Sequence, residues 1–98
     1  MSNLNWEQQT IYEHITLERR RQHKLWDRNH DWGYGDCSHP NTPLTVKLAV
    51  LGEEYGEACR AVLERDPIQL RTELIQTAAV AVAIVEWLDA GGHGTVVD

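Results

Sequence analysis

The chain is short of cysteine, of positive charge and of any short repeating pattern, and each shortage removes a class of protein. Its two cysteines, Cys37 and Cys59, form no CxxC pair. Two thiols cannot build a disulfide framework, so a reduced setting is expected. No signal peptide is visible at the N-terminus, and a cytoplasmic location is the expectation. Nine Lys and Arg stand against fifteen Asp and Glu, for a formal net charge of −6. Phosphate is repelled by such a surface, which argues against a general nucleic-acid binder. The same balance suits a protein that gathers metal cations. No stretch alternates with the period of a strand, and there is no internal repeat. The longest apolar run, 74–88, is interrupted by Gln76 and Glu86. It reads as too short and too polar for a membrane span, so no membrane partner is expected.

What is present is helix. With 98 residues the chain makes one domain. A chain of this length buries only roughly 60–65% of its unfolded surface, so it needs a compact helical core, a partner subunit, or both. Asn5, with Gln8 three residues on, starts a first helix over about 5–27. Ile11, Ile15 and Trp26 share one side of it. Residues 28–42, with two glycines, Pro40 with Pro43 just beyond, and no period, read as a loop. Thr42-Pro43 predicts a second helix over about 43–65, with Thr42 as the cap and Pro43 at the first position. Asp66-Pro67 repeats that signal for a third helix over 67–90, stopped by Gly91-Gly92. The tail, 91–98, is expected to be loose. Helices two and three, joined by a short turn, form an antiparallel hairpin. The expected class is all-α.

At about 100° per residue, Leu44, Leu48, Leu51, Tyr55, Ala58, Cys59 and Val62 share one face of helix two and read as its core stripe. Leu70, Leu74, Ala78, Ala81, Val85 and Leu88 do the same on helix three. Glu53, Glu54 and Glu57 lie on the other side of helix two, between Val46, Val50 and Ala61. Glu73 and Gln76 lie on the other side of helix three, a side that continues as Val80, Ala83 and Trp87. One hairpin cannot bury both faces of both helices. The expectation is a bundle completed by oligomerisation, as a dimer or a tetramer.

The acids also match in height. Glu57 lies nine residues before Asp66, Glu73 seven after it and Gln76 ten after it. In an antiparallel pair these positions stand nearly level, with Glu54 one turn further along. Two readings are open. The glutamates form a solvated helix face, as most helical glutamates do. Alternatively they are packed together, and a hard divalent cation offsets their repulsion and lost hydration.

The stretch "EEYGE" (Glu53 to Glu57), followed after fifteen residues by "ELIQ" (Glu73 to Gln76), resembles the EExxE…ExxD signature of the MazG-like all-α nucleotide pyrophosphohydrolases. The resemblance covers about 43–90. Upstream, Trp26-Asp27-Arg28 and Lys47 are loosely similar to positions of that family. The resemblance implies a Mg²⁺-dependent enzyme, with Mn²⁺ as the other candidate ion, built as a dimer or tetramer. Such an enzyme cleaves a nucleoside triphosphate to a monophosphate and pyrophosphate. By position, Glu54, Glu57 and Glu73 would be metal ligands, and Glu53 a ligand or the residue that orients the attacking water. Gln76 departs from the pattern, which has Asp there. An amide oxygen can coordinate but brings no charge. The alternative is a catalytically inactive dimerisation or regulatory module of the same fold.

The basic run holding Arg19, Arg20, Arg21, His23 and Lys24 has two readings. Arg21 and Lys24 can meet a triphosphate, or the run complements the C-terminal dipole of its helix. Trp26, Trp32 and Tyr34 can stack on a base or anchor the loop. His30, Cys37, His39 and Cys59 match no standard zinc spacing.

Overall fold

The computed structural model describes residues 5–92; the tail from 93 onward lies outside them. Gln8 N donates to Asn5 Oδ1 at 2.8 Å and Asn5 N to Gln8 Oε1 at 3.2 Å. This reciprocal cap satisfies two open amides and starts α1 (Trp6–Trp26) as expected. The segment after it is more than loop. It holds a two-residue antiparallel ladder, β1 (Asn29–His30) against β2 (Gly33–Tyr34). Strands that short leave no alternation to read. Gly35 follows with φ +94°, and a Cβ there would meet the His39 ring at 2.5 Å. Glycine is therefore required at this turn.

α2 (Leu44–Leu63) starts without a side-chain cap. Thr42, expected in that role, is instead buried, and its hydroxyl donates to Asp36 O at 2.8 Å. It ties the preceding loop together rather than the helix end. At the other end Glu64 N donates to Arg60 O and Asp66 N to Ala61 O, at 2.9 Å each. Arg65 sits between them in the left-handed region, at φ 55°. This compact reversal satisfies the last carbonyls of α2. Asp66 then caps α3 (Pro67–Asp89), accepting from Gln69 N at 3.0 Å, with Pro67 at the first position. That start was legible in the sequence.

α3 is the central helix. It packs against α2 on one side and α1 on the other, while α1 and α2 do not pack on each other. Ala58, Ala61 and Ala79 are buried and let α2 and α3 approach closely. The apolar core is Cys37, Val80, Ala83, Ile84 and Trp87, flanked by Leu44, Val50, Leu51 and Leu88. α1 is held to α3 largely by polar links. Arg71 Nη2 lies 3.0 Å from His14 Nδ1, Gln22 Nε2 donates to Gln76 O at 3.1 Å, and Arg19 Nε to Glu86 Oε1 at 2.7 Å. By length and composition α3 would suffice to cross a membrane, contrary to the reading of 74–88. In this fold it carries a buried glutamate, Glu73, between two packed neighbours.

The two expected core stripes are only partly buried: Ala58 is in the interior and Leu44, Leu51 and Leu88 pack against the core, but most of the rest turns outward. Leu48, Tyr55, Cys59 and Val62 of α2 are exposed, as are Leu74 and Val85 of α3. The faces bearing the acids are the ones turned inward. The physical reason is α1: it covers the acid-bearing face of α3 and leaves the more apolar face of the hairpin uncovered.

Candidate functional site

α1 and α2 stand apart as two walls, with α3 as the floor and the 35–42 loop as the closed end. Between them lies a cavity of about 180 Å³. Each of the three helices brings both polar and apolar side chains to its lining, and Arg19 with Asp36 adds an ion pair where the loop closes it. At one end are Glu18, Arg21 and Gln22 of α1, Glu53 and Glu54 of α2, and Gln76 of α3. At the other are Leu25 and Trp26, Val46 and Val50, and Val80 and Ala83, with Trp32 from the loop. The offset from Arg21 to Trp26 is about 7 Å along the axis of α1.

At the polar end Glu54 and Glu73 face one another across the α2–α3 contact. Glu73 is 7% exposed, and Gln69 Nε2 donates to its Oε1 at 2.6 Å. With its amide nitrogen turned to the acids, Gln76 donates at 2.9 Å to Glu54 Oε2 and at 2.9 Å to Glu73 Oε2. Burial pushes the Glu54 carboxyl up to about 7, and the negative charges of Glu73, Glu53 and Glu57 add to this. The Gln76 amide, donating to both, is what holds the two carboxyl groups together in the free protein. Half a turn of the Gln76 amide would present its oxygen instead. Three oxygens would then converge from two helices, a donor set that fits a hard cation completed by water or phosphate oxygens.

The expected level of Glu57 with Glu73 and Gln76 is corrected by one turn: it is Glu54 that meets Glu73 and Gln76, because Glu54 sits half-buried at the α2–α3 contact and Glu57 faces solvent. Glu53 is exposed and lines the same cavity. Glu57 is exposed; its charge reaches Glu54, but it makes no hydrogen bond within the trio. Among the described residues no three His, Cys, Asp or Glu side chains converge as a ready metal site. Two carboxylates and an amide are what the fold brings together.

Arg21 and Trp26 line the cavity, at its polar and apolar ends. Lys24 is exposed outside it. Lys47, the other expected substrate contact, is fully buried and points elsewhere. Its ammonium donates to His39 O at 2.7 Å and to Thr42 O, and lies 4.7 Å from the centre of the Trp87 ring. Burial depresses its pKa. Two carbonyls and an aromatic face satisfy the cation, so Lys47 anchors the loop to the helices.

The rings near the apolar end form a stack. Trp26 and His30 lie 5.0 Å apart, and His30 and Trp32 are nearly parallel at 4.4 Å. Tyr34 is outside this group; its hydroxyl donates to Asp27 Oδ1 at 2.7 Å. Cys37 is buried, and desolvation raises its thiol to about 11, which leaves it unreactive. Cys59 is exposed on the outer hairpin face, so the two thiols share no site.

Sequence reasoning missed Glu18, Gln22 and Asp36. Asp36 accepts from Arg19 Nη1 at 2.7 Å, from Ser38 N at 2.9 Å and from Ser38 Oγ at 2.6 Å, and lies 3.0 Å from His23 Nδ1. Burial alone would raise its carboxyl, but Ser38 and Arg19 outweigh it and hold the group down at about 2. This junction clamps α1 to the loop and so keeps the cavity open. Glu18 carried one readable signal, its place three residues before Arg21. Gln22 and Asp36 carried none.

Comparison with protein-family models, with characterised proteins and with solved structures finds no match to this chain. The motif resemblance therefore rests on the residues themselves.

Proposed function

We propose that the chain is a Mg²⁺-dependent nucleoside triphosphate pyrophosphohydrolase. The observation that carries this reading is the two-ended cavity, with paired carboxylates and an amide at one end and aromatic and aliphatic side chains at the other. A ligand that fits both ends has a flat apolar ring and a charged group that a cation can bridge to carboxylates. A nucleoside triphosphate has that form. The "EEYGE…ELIQ" spacing supports the same reading. Glu54, Glu73 and the Gln76 oxygen would hold the ion, with Glu57 adding charge nearby. Bound Mg²⁺ neutralises phosphate charge and lowers the pKa of water. Glu53, exposed at the cavity wall, is positioned to orient the attacking water. Arg21 faces the phosphates, and Trp26 and Trp32 wall the base. Water attacks phosphorus, the anhydride bond between the α- and β-phosphates breaks, and a monophosphate and pyrophosphate leave. The outer face of the hairpin would meet further copies of the chain in a homo-oligomer.

The second reading is an inactive helical module. The capping of both acids by the Gln76 amide favours it, since that arrangement is satisfied without a cation. One experiment separates the two. Purified protein is incubated with NTPs and dNTPs plus Mg²⁺, and pyrophosphate release is followed. The enzyme reading expects release that Glu54→Gln lowers by roughly 10²- to 10³-fold, the size of losing one group that stabilises transition-state charge. The variant should melt no lower than wild type, because it removes a repelling charge. No release with any nucleotide would leave the module reading.

A further inference from the structure

Glu18 has no part in the motif, yet both oxygens of its carboxylate are occupied at the polar end of the cavity. Arg21 Nε donates to its Oε1 and Arg21 Nη2 to its Oε2, both at 2.8 Å. Gln22 Nε2 donates to Oε2 as well, at 3.2 Å. The Glu18 side chain is 12% exposed, while that of Arg21 is 56% exposed. One partner is thus enclosed and saturated, and the other reaches into solvent at the cavity mouth. Gln22 also donates to Gln76 O, and the Gln76 side chain sits on Glu54 and Glu73. A continuous polar path therefore runs from Arg21 through Glu18 and Gln22 to the acids.

Guanidinium has five N–H donors. Glu18 takes one edge, and Nη1 makes no hydrogen bond among the described residues. The free edge is suited to a phosphate oxygen, which Arg binds in a planar, paired geometry. An unrestrained Arg side chain has much rotamer freedom to lose on binding. Glu18 removes that freedom beforehand, and both its oxygens are already occupied, so its charge is largely spent on Arg21.

We propose that Glu18 is a positioning residue that holds Arg21 at the polar end of the cavity to receive the polyphosphate of the substrate. This rests on the nucleotide reading above. Arg21 already lies within electrostatic reach of Glu54, so phosphate oxygens on an ion held by Glu54 and Glu73 would lie near its free edge.

The test is calorimetric titration of wild type, Glu18→Gln, Arg21→Gln and the double variant, each with Mg²⁺. The probes are inorganic triphosphate, inorganic phosphate and a non-hydrolysable α,β-methylene nucleoside triphosphate. Arg21→Gln is expected to weaken triphosphate binding roughly tenfold to a hundredfold, the size of losing a charged hydrogen-bond pair. Glu18→Gln should weaken it severalfold, and the double variant should be no weaker than Arg21→Gln alone. Inorganic phosphate, with fewer charged oxygens, should bind wild type more weakly than triphosphate does. Additive losses, or tighter binding by Glu18→Gln, would overturn the positioning role and leave the nucleotide reading standing. If wild type binds neither the analogue nor triphosphate, the nucleotide reading fails and this proposal with it.

Discussion

The α2–α3 hairpin has an inner and an outer face of opposite logic. On the inner face, where α1 and the loop pack, polar groups are buried: Lys47 at 0% exposure and Glu73 at 7%. On the outer face apolar groups are bare: Tyr55 at 63%, Val62 at 58%, and Leu48, Leu74 and Val85 at 52% each. A buried polar group costs free energy unless it is fully partnered, and here each is partnered by an amide, a carbonyl or a ring. A contiguous apolar face in water marks a surface that meets something. The inner face therefore reads as a site and the outer face as a contact surface. The most apolar stripe of a small helical chain need not be its own core.

The largest effect on this contrast should come from charging the outer face. Wild type is expected to be an oligomer at micromolar concentration, and Leu74→Glu should convert it to monomer. Placing a carboxylate in a closed apolar interface costs several kcal/mol when it finds no partner. Sedimentation equilibrium reads the outcome. A wild type that remains a folded monomer would show that the outer face is simply exposed. If Tyr55→Glu and Leu74→Glu both leave the oligomer intact, the contact lies elsewhere, with Trp6, Tyr12 and Leu17 of α1 as the next exposed apolar group.

The inner face depends on the Asp36 junction. Asp36→Asn leaves Arg19, with a side chain only 12% exposed, with Glu86 as its one remaining counter-charge. Removing one partner of a buried pair costs about 3–5 kcal/mol, and the loss here should fall below that because Glu86 stays on Arg19. The pH dependence has a definite sign. The folded carboxyl is held at about 2, below its ordinary 3.8. Its contribution is fully present above the ordinary value and is lost as pH falls through the folded one. The gap in melting temperature between wild type and Asp36→Asn should be constant near pH 6 and shrink between pH 4 and pH 2. A gap that stays constant down to pH 2 would mean that the Asp36 charge does not hold α1.

How much of this was legible follows from where each signal lives. Caps and turns are local, so Asn5 with Gln8 and Asp66 with Pro67 announced two helix starts. Helix rise and one short turn brought the acids of the two helices close to one level but chose Glu57 as the partner of Glu73 and Gln76, and the structure places Glu54, one turn away, there instead. Which face of the hairpin would be buried did not follow, because that is decided by α1, whose attachments are polar and widely spaced: His14 to Arg71, Gln22 to Gln76 and Arg19 to Glu86. Periodicity counts apolar residues and cannot see such links. Thr42 misled for a related reason. Its hydroxyl had two possible uses, a helix end or the turn before it, and the turn took it.

Gln76→Asp sharpens the site itself. It replaces the amide that bridges Glu54 and Glu73 with a third charge. In the absence of metal this should lower stability slightly, since three carboxylates repel. With metal the same charge adds attraction for a divalent ion in a partly shielded place. Mg²⁺ affinity measured by calorimetry should rise about tenfold, a change of roughly 1.4 kcal/mol. Tighter metal binding need not speed turnover, which depends on favouring the transition state over the ground state. Unchanged affinity in an active enzyme would place Gln76 outside the coordination sphere.

The smallest effect concerns the turn on which both faces hinge. Arg65 is the single non-glycine residue with positive φ among the described residues, at 55°. A left-handed backbone costs an L-residue with a Cβ about 1 kcal/mol, and glycine escapes that cost. Glycine also gives the unfolded chain more freedom, which takes back part of the gain. Arg65→Gly should therefore stabilise the protein by about 0.5 kcal/mol, the difference between these two terms. The Arg65 side chain is exposed and takes part in no ion pair among the described residues, so little else is lost. Denaturant midpoints with an unchanged slope would measure it. A loss of stability would mean that the side chain does something at the hairpin end that the backbone geometry does not reveal, such as meeting a second copy beside the outer face. Repeating the measurement on the Leu74→Glu monomer distinguishes these cases: a backbone effect persists there, and a contact between copies disappears.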